Sequence, residues 1–300
     1  MDFWVILLLF TIPVLLFKLY KKTRPISFAG KTVWITGASS GIGEFLAYEF
    51  INKGASVILS ARNVDELNRV RNNLGVRKEK ATIIPLDLAN GDSALLKAKE
   101  IMKQHEIDIL INNAGVSQRC TFMECLDSLT VERKAMELNY FSVVALTKAA
   151  AEVMAKRGSG QIVVISSLAG LVGSPYRTGY SGSKFAISGF YESLRSELHD
   201  YGVQVSSIYP GYVNTNIAKN ALNSKGEEFG KSDPANAEGM SAERFAKKAI
   251  RGIFNKDADL LVCPLKYHLM FYIKAFCPAA FHYLLRSYSK KVLKKLKEAS

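Results

Sequence analysis

From Lys31 onward, short apolar segments alternate along the chain with segments that have helical spacing. The apolar segments are rich in β-branched residues and have no polar face; they read KTVWITG, ASVILSAR, ATIIPLD, IDILINNAG, GQIVVISS, VQVSSIYPG and ADLLVC. Strands that are apolar on both sides occur in parallel sheets that helices cover on both faces. The alternation therefore predicts an α/β fold, a doubly wound parallel seven-stranded sheet, in a single domain over residues 28–265.

A glycine-rich turn follows the first predicted strand. The segment TGASSGIG, Thr36 to Gly43, joins that strand to the first helix, as in Rossmann dinucleotide-binding domains. Its first glycine permits a tight turn, its second lets the backbone approach a pyrophosphate, and its third allows close helix packing. Exposed N–H groups and the helix dipole would then hold the phosphates; the alternative is a tight turn without a ligand. The residues predicted to bind the cofactor here are Gly37, Ser39, Ser40, Gly41, Ile42 and Gly43.

The end of the second predicted strand bears on the choice of cofactor. Domains that prefer NAD usually place an acid there for the ribose hydroxyls, whereas this chain reads LSARN and offers Arg62. A guanidinium can bind a 2′-phosphate with two hydrogen bonds, so NADP(H) is favoured and NAD(H) is the alternative. Asp87, after the third strand, is a candidate for the adenine amine; alternatively it caps the next helix.

The segment YSGSK places Tyr180 and Lys184 four residues apart, so both side chains would lie on one face of a helix. A free tyrosine has a pKa near 10 and is a poor base at neutral pH. A lysine ammonium one turn away, together with a positively charged nicotinamide, would lower that pKa. Tyr180 would then exchange a proton with an alcohol or a carbonyl, and Lys184 would also hold the nicotinamide ribose.

Six motifs occur in order and together resemble the short-chain dehydrogenase/reductase family from about Phe28 to Cys263: TGASSGIG, NNAG, ELN, ISSLAG, YSGSK and PGYVNT. The SGIGE turn, the VSQR after NNAG and the hydrophobic amino end are most similar to its membrane-bound dehydrogenase/reductase member 7 group. The resemblance implies the interconversion of an alcohol with its carbonyl, with NADPH favouring reduction in cells. It also implies the catalytic residues Ser167, Tyr180, Lys184 and Asn139.

The resemblance assigns a role to each of the remaining motif residues. Ser167, which lies 13 positions before Tyr180, would position the substrate oxygen, with Ser166 as the alternative. Asn139 would link Lys184 to a chain of water molecules. Asn113 of NNAG and Thr215 of PGYVNT would bind the cofactor, the threonine through the nicotinamide carboxamide.

The two ends of the chain carry most of its net charge of +13. Phe3 to Phe17 is uncharged and is followed by four basic residues, which predicts a membrane anchor over residues 1–20; a cleaved signal peptide is the alternative. By the positive-inside rule the catalytic domain would be cytoplasmic, at the endoplasmic reticulum membrane, with a lumenal orientation as the alternative. Four well-separated cysteines favour a reducing compartment. No nucleic-acid-binding motif and no metal-ligand spacing occur in the sequence, so neither partner is expected.

The carboxyl-terminal extension, residues 266–300, is apolar at first and then basic. It could cover the pocket, pack in a homodimer or lie on a bilayer, and a lipophilic substrate of the retinoid or steroid type is consistent with the last arrangement. Two other kinds of protein remain open. One is a non-catalytic, NADPH-binding membrane scaffold protein; the other is a membrane tether that works through its basic ends.

Overall fold

A computed structural model describes residues 23–298 of the chain. Its strands are β1 (Thr32–Thr36), β2 (Ser56–Ser60), β3 (Ala81–Ile83), β4 (Ile109–Asn112), β5 (Gly160–Ile165), β6 (Val203–Pro210), β7 (Val213–Asn214), β8 (Met240–Ser241) and β9 (Asp259–Val262). Seven of them form one sheet in the order β3-β2-β1-β4-β5-β6-β9, and every neighbouring pair is parallel. The doubly wound seven-stranded sheet predicted from the sequence is confirmed.

The helices occupy both faces of this sheet and continue beyond its last strand. They are α1 (Gly41–Asn52), α2 (Val64–Asn72), α3 (Gly91–Gln104), α4 (Thr130–Met136), α5 (Ser142–Arg157), α6 (Thr178–Glu197), α7 (Pro234–Ala237), α8 (Ala242–Asn255), α9 (Leu265–Phe276) and α10 (Pro278–Glu298). Short 3₁₀ turns lie at Gly75–Lys80, Phe122–Cys125 and Leu168–Gly170. The strands β7 and β8 pair with each other outside the main sheet and lie beside α7. In the chain, β7 follows β6.

Alternate residues of each strand enter separate apolar layers, because side chains in a strand point to opposite faces in turn. Ile35 of β1 is buried in the layer that contains α1 and α8, and Trp34 in the layer that contains α3, α5 and α6. The indole of Trp34 donates to the Ser60 hydroxyl at 2.9 Å, so even this polar atom is satisfied. Burial of each large apolar side chain contributes about 1.5–3 kcal/mol to the stability of the fold. The two apolar layers therefore hold the strands, and the polar residues that follow their ends, in fixed positions.

A π-helical turn, Glu137–Phe141, lies between α4 and α5 and interrupts an otherwise continuous helical segment. Such a turn adds one residue to the helical path and often marks a functional position. Asn139 lies inside it and is buried. The widened turn therefore changes the direction of Asn139 relative to a regular helix, which apolar spacing alone did not reveal.

The helices α9 and α10 form a C-terminal hairpin over the carboxyl ends of the strands. Within residues 23–298, no helix has both the length and the apolar character needed to cross a bilayer. The membrane anchor predicted over residues 1–20 lies outside the described residues.

Candidate active site

A cavity of about 1860 Å³ opens at the carboxyl ends of the parallel strands, where open α/β sheets bind their ligands. Its walls come from the glycine-rich turn, the ends of β4 and β5, the first turns of α6, and the C-terminal hairpin. One half is polar and narrow beside the turn, and the other lies under apolar residues of the hairpin. This volume suits an extended cofactor together with a second, smaller molecule.

The glycine-rich turn forms the narrow half. Gly41 has a φ of +57°, and a Cβ on it would lie 2.9 Å from Thr215 Cγ2, so only glycine leaves the space between turn and threonine open. Gly37, Ser39, Ser40, Gly41, Ile42 and Thr215 all line the cavity. Gly43 is buried behind the turn, with its Cβ position only 2.3 Å from the Gly37 carbonyl oxygen. It therefore provides close packing and does not line the cavity.

Asn113 holds the glycine-rich turn against β4. Its amide Nδ2 donates to the Thr36 carbonyl at 2.9 Å and to the Gly37 carbonyl at 3.2 Å, and its backbone N–H donates to the Thr36 hydroxyl. The residue lines the cavity, as predicted, but its side-chain donors are engaged with the turn. It acts by fixing the shape of the cradle.

Arg62 follows β2 and Asp87 follows β3, and both line the cavity. Arg62 is exposed. The residue at the end of β2 is Ser60 and not an acid, and its buried hydroxyl accepts the hydrogen bond from the Trp34 indole. Asp87 accepts the Ala89 N–H at 3.0 Å. The cap of α3 is Asn90, whose side chain accepts the Ser93 N–H at 2.9 Å, so the alternative role given to Asp87 is wrong.

Ser167, Tyr180 and Lys184 meet in the centre of the cavity. Ser167 follows β5, its hydroxyl accepts the Ala169 N–H at 3.1 Å, and its side chain acts on the Tyr180 phenol in the direction that lowers the pKa of the phenol. Ser166 instead pairs with the Ser188 hydroxyl at 3.1 Å in the interior, so it is not the residue that faces Tyr180. The Lys184 ammonium donates to the Ile165 carbonyl at 3.1 Å and lies 6.0 Å from the centre of the Tyr180 ring.

Burial changes the proton affinity of both α6 residues. Desolvation raises the pKa of Tyr180, although the Ser167 hydrogen bond and the charges of Arg177 and Arg119 act in the opposite direction. The sequence prediction that the pKa of Tyr180 falls is therefore wrong for the protein's own groups, because desolvation outweighs them. Desolvation also lowers the pKa of Lys184 to about 8, since burial disfavours its charged form.

Asn139 joins α6 to the loop that follows β4. Its Oδ1 accepts the Val116 N–H at 2.8 Å, and its Nδ2 donates to the Val116 carbonyl and to the Ser183 hydroxyl, each at 2.9 Å. Ser183 in turn donates to the Tyr180 carbonyl at 2.8 Å. The asparagine therefore supports the first turns of α6, and its link from Lys184 to a chain of water molecules stays a prediction.

Two arginines that the sequence prediction missed lie beside Tyr180. Arg119 and Arg177, the arginine pair, each approach Asp233 at 3.0 Å, and both line the cavity. Arg119 is only 4% exposed, and burial and the charge of Arg177 lower its pKa. Asp233 carries one negative charge and the two guanidiniums carry two positive charges, so a net positive charge remains next to the Tyr180 phenol. Arg119 ends the VSQR segment, but its partner acid lies 114 residues away, so no local pattern showed the pair.

Gln118 connects the same segment to α6. Its Oε1 accepts the Tyr180 N–H at 3.1 Å, which satisfies one of the N–H groups left free at the start of a helix. Gln118 is fully buried. The first turn of α6 is thus held from one side by Gln118 and from the other by Ser183 and Asn139, which limits the freedom of the Tyr180 phenol.

The C-terminal hairpin closes the wider half of the cavity. Lys274 of α9 donates to the Leu171 carbonyl at 2.6 Å, and the hydroxyl of Tyr288 in α10 lies 3.2 Å from that of Tyr212. Tyr212 in turn accepts from Arg177 at 3.0 Å. The hairpin presents apolar side chains to the cavity, namely Leu269, Met270, Ile273, Phe281, Leu284 and Leu285. A ligand there would contact a polar floor and an apolar cover.

The pKa of Lys184 predicts how binding of an anionic dinucleotide depends on pH. An anion near its ammonium favours the charged form, which is lost as the pH rises through about 8. We expect the Kd of NADPH to be constant below pH 7.5 and to rise about tenfold between pH 8 and pH 9.5. Fluorescence titration of NADPH measures this. In Lys184→Met the Kd should be weaker and flat across the same range; an equal rise in that variant would assign the effect to another group.

Among the described residues no group of three His, Cys, Asp or Glu side chains is arranged to hold a metal ion. The residues around the cavity do fit a dinucleotide. Gly41 leaves open a space that a Cβ would fill, and the buried ammonium of Lys184 borders the same cavity. Proton donors, a cationic lysine and a phosphate cradle in one cavity can support hydride transfer coupled to proton transfer.

Comparison with known proteins gives consistent matches. The short chain dehydrogenase family model matches residues 31–226. A dehydrogenase/reductase SDR family protein 7-like of Drosophila melanogaster is 39% identical over 88% of this chain and 82% of its own length. The mouse dehydrogenase/reductase SDR family member 7B is 35% identical over 92% of this chain and 87% of its own.

A solved structure of an NAD(P)-dependent gluconate 5-dehydrogenase from Beutenbergia cavernae with bound NADP has a TM-score of 0.69 and 28% identity, covering 79% of this chain and 96% of its own. A short-chain dehydrogenase/reductase from Burkholderia phymatum in complex with NAD has a TM-score of 0.72 at 23% identity, covering 83% and 95%, and shows the same fold.

Proposed function

We propose that this chain, which belongs to the short-chain dehydrogenase/reductase family and is thus an NAD(P)-dependent oxidoreductase, uses NADP(H) to interconvert an alcohol and its carbonyl on a lipophilic substrate. The observation that carries the proposal is the meeting of Ser167, Tyr180 and Lys184 under the apolar C-terminal hairpin. The hairpin lies beyond residues 31–226, so the family match does not include the part of the chain that covers the proposed substrate region.

The protein groups would divide the work as follows. Bound NADP(H) would supply or accept the hydride. Ser167, which lines the same cavity as the phenol, would donate to the substrate oxygen, and Tyr180 would give that oxygen a proton in reduction or remove one in oxidation. The charges of Lys184 and of the arginine pair would stabilise the phenolate that reduction leaves behind.

A preference for NADP(H) rests on Arg62. Its side chain lies at the cavity edge beside Ser39 and Asn63, and Ser60 occupies the position where an acid would repel a 2′-phosphate. A charge-assisted pair with that phosphate would favour NADPH over NADH. The cofactors named in the two solved structures, NADP and NAD, are those of the respective proteins.

Removing the guanidinium at the cavity edge tests the cofactor preference. In Arg62→Ala we expect the KM for NADPH to rise about 10–100-fold and the KM for NADH to change less than twofold, since a hydrogen bond to a charged group contributes about 1.5–3 kcal/mol. The matched control is Arg71→Ala, whose guanidinium bonds Asn68 on the outside of α2. Equal effects of Arg62→Ala on both cofactors would contradict the preference.

A lipophilic substrate is inferred from the hairpin's inner surface, and a membrane location from its outer surface. Leu265 is 82% exposed, Phe276 84% and Tyr283 75%, and basic residues follow in the sequence. An apolar face bordered by lysines is typical of helices that lie in a bilayer interface. Together with the predicted anchor over residues 1–20, this supports a protein of the endoplasmic reticulum membrane with its catalytic domain in the cytoplasm. Protease added outside sealed microsomes should cleave it; full protection would place the domain in the lumen.

The substrate class is tested with the full-length protein in phospholipid vesicles. NADPH oxidation at 340 nm would be followed with retinaldehyde, a steroid ketone and a small polar ketone such as dihydroxyacetone. We expect kcat/KM to be at least 10-fold higher for the lipophilic carbonyls, because the apolar wall offers the polar ketone no favourable contact. A higher value for the polar ketone would overturn the assignment of the hairpin as a lipophilic wall. NADPH binding without turnover of any carbonyl would favour the scaffold alternative.

A further inference from the structure

Two of the four cysteines lie in contact although the sequence gives them no obvious pairing. The Sγ atoms of Cys120 and Cys125 are 3.0 Å apart, while Cys263 and Cys277 lie on the carboxyl-terminal part of the chain. Cys120 is buried in a small apolar cluster with Val131, and Cys125 is half-buried at the edge of that cluster. The pair therefore consists of one protected thiol and one thiol that reagents can reach.

The backbone between the two cysteines is held in a shape that brings them together. Thr121 and Glu124 form a capping box: the Glu124 carboxylate accepts the Thr121 N–H at 2.6 Å and its hydroxyl at 2.8 Å. The intervening residues form the 3₁₀ turn Phe122–Cys125. Because this turn already brings the two sulfur atoms into contact, joining them needs little rearrangement of the chain.

We propose that Cys120 and Cys125 form a site of reversible disulfide modification that accepts oxidising equivalents from a low-molecular-weight disulfide such as glutathione disulfide. The Cys125 thiolate attacks one sulfur of the reagent and releases one glutathione thiol, leaving a mixed disulfide. The Cys120 sulfur, on losing its proton, then attacks Cys125 Sγ and releases the second glutathione. Two protein thiols and one glutathione disulfide thus become one protein disulfide and two glutathione thiols.

The burial of Cys120 sets the order of these two steps. Desolvation raises the pKa of Cys120 to about 12, and its contact with Cys125 adds to the effect, so it is a poor first nucleophile. Its attack becomes feasible once Cys125 is joined to a leaving group, since the second step is intramolecular. Reaction therefore begins at the accessible sulfur and ends at the buried one.

The site lies one side chain away from the catalytic helix. The Gln118 amide donates to Cys120 Sγ at 3.2 Å, and its Oε1 accepts the Tyr180 N–H at 3.1 Å. The 120–125 turn also leads directly into Leu129 and α4, which border the wider half of the cavity. The disulfide would thus form within the wall that supports Tyr180.

Thiol mapping of the full-length protein tests the proposal. Samples would be equilibrated in glutathione buffers of increasing oxidised fraction, quenched in acid, denatured and alkylated. We expect the number of alkylated thiols to fall from four to two. The tryptic peptide of residues 120–133, which contains both cysteines, should carry no alkyl group and be two hydrogen masses lighter than its unalkylated dithiol form; dithiothreitol before alkylation should restore the doubly alkylated peptide.

Two serine variants serve as controls. Cys125→Ser should leave Cys120 alkylated at every buffer composition, whereas Cys277→Ser, at an exposed position, should not change the linkage of the 120–133 peptide. Alkylation of both thiols under the most oxidising buffer would overturn the proposal. So would a glutathione adduct on Cys125 that never converts to the internal disulfide.

Discussion

Tyr180→Phe is expected to lower kcat for carbonyl reduction about 10³-fold or more while the protein still binds NADPH with a Kd within threefold of the parent. The substitution keeps the buried ring and removes its hydroxyl, so the substrate oxygen loses its proposed proton donor. A positioned general acid typically contributes a factor of about 10²–10⁴. Steady-state kinetics in vesicles, with NADPH fluorescence titration on the same sample, separates the chemical effect from binding.

Tyr176→Phe is the matched control for this variant. Tyr176 lies four residues before Tyr180, in the turn that precedes α6; it is half-buried and is absent from the cavity wall. Removing its hydroxyl should change kcat less than twofold. If Tyr180→Phe retained a tenth or more of the parent kcat, the proton would have to come from another group, and the assignment of Tyr180 would fail.

Gly43→Ala should weaken NADPH binding about 100-fold, the largest effect we expect from adding a single methyl group. The new Cβ would lie 2.3 Å from the Gly37 carbonyl oxygen and 2.7 Å from Asn113 Nδ2, so α1 and the turn must separate. The cradle for the phosphates is made of backbone groups, and a misplacement of about 1 Å can cost two orders of magnitude. The Kd of NADPH is the primary measurement.

Because Gly43→Ala also strains the contact between α1 and β1, thermal unfolding by circular dichroism must accompany the binding measurement. Gly189→Ala is the control: it lies within α6, and its Cβ would meet nothing within 4 Å. That variant should bind NADPH normally and be as stable as the parent or slightly more, since alanine favours helix. Normal binding by a folded Gly43→Ala would show that the turn tolerates the displacement and does not define the phosphate site.

The sequence was most informative where a local pattern and a packing requirement coincide. The buried strands could be recognised because parallel strands covered on both faces have no polar side, and the glycine turn because it sits between strand and helix. Ser167 was distinguished from Ser166 by spacing, and the structure explains the choice, since Ser166 pairs with Ser188 inside the protein.

Features that arise only once the chain is folded were missed. Arg177 and Asp233 are 56 residues apart, and each looks like an ordinary surface charge until the fold brings them together. The contact between Cys120 and Cys125 depends on a 3₁₀ turn whose capping residues resemble any polar loop. Motif reasoning counted the charges near Tyr180 and left out desolvation, which raises its pKa in the protein without cofactor and which only the burial of α6 reveals.

The bond from Lys274 to the Leu171 carbonyl attaches the far end of the chain to the loop that follows Ser167. The residues proposed to transfer the proton therefore lie before residue 226, and the helices that cover the cavity lie after residue 264. Under the proposed function, substitutions confined to the hairpin would alter which molecules the cavity accepts and leave Ser167, Tyr180 and Lys184 in place.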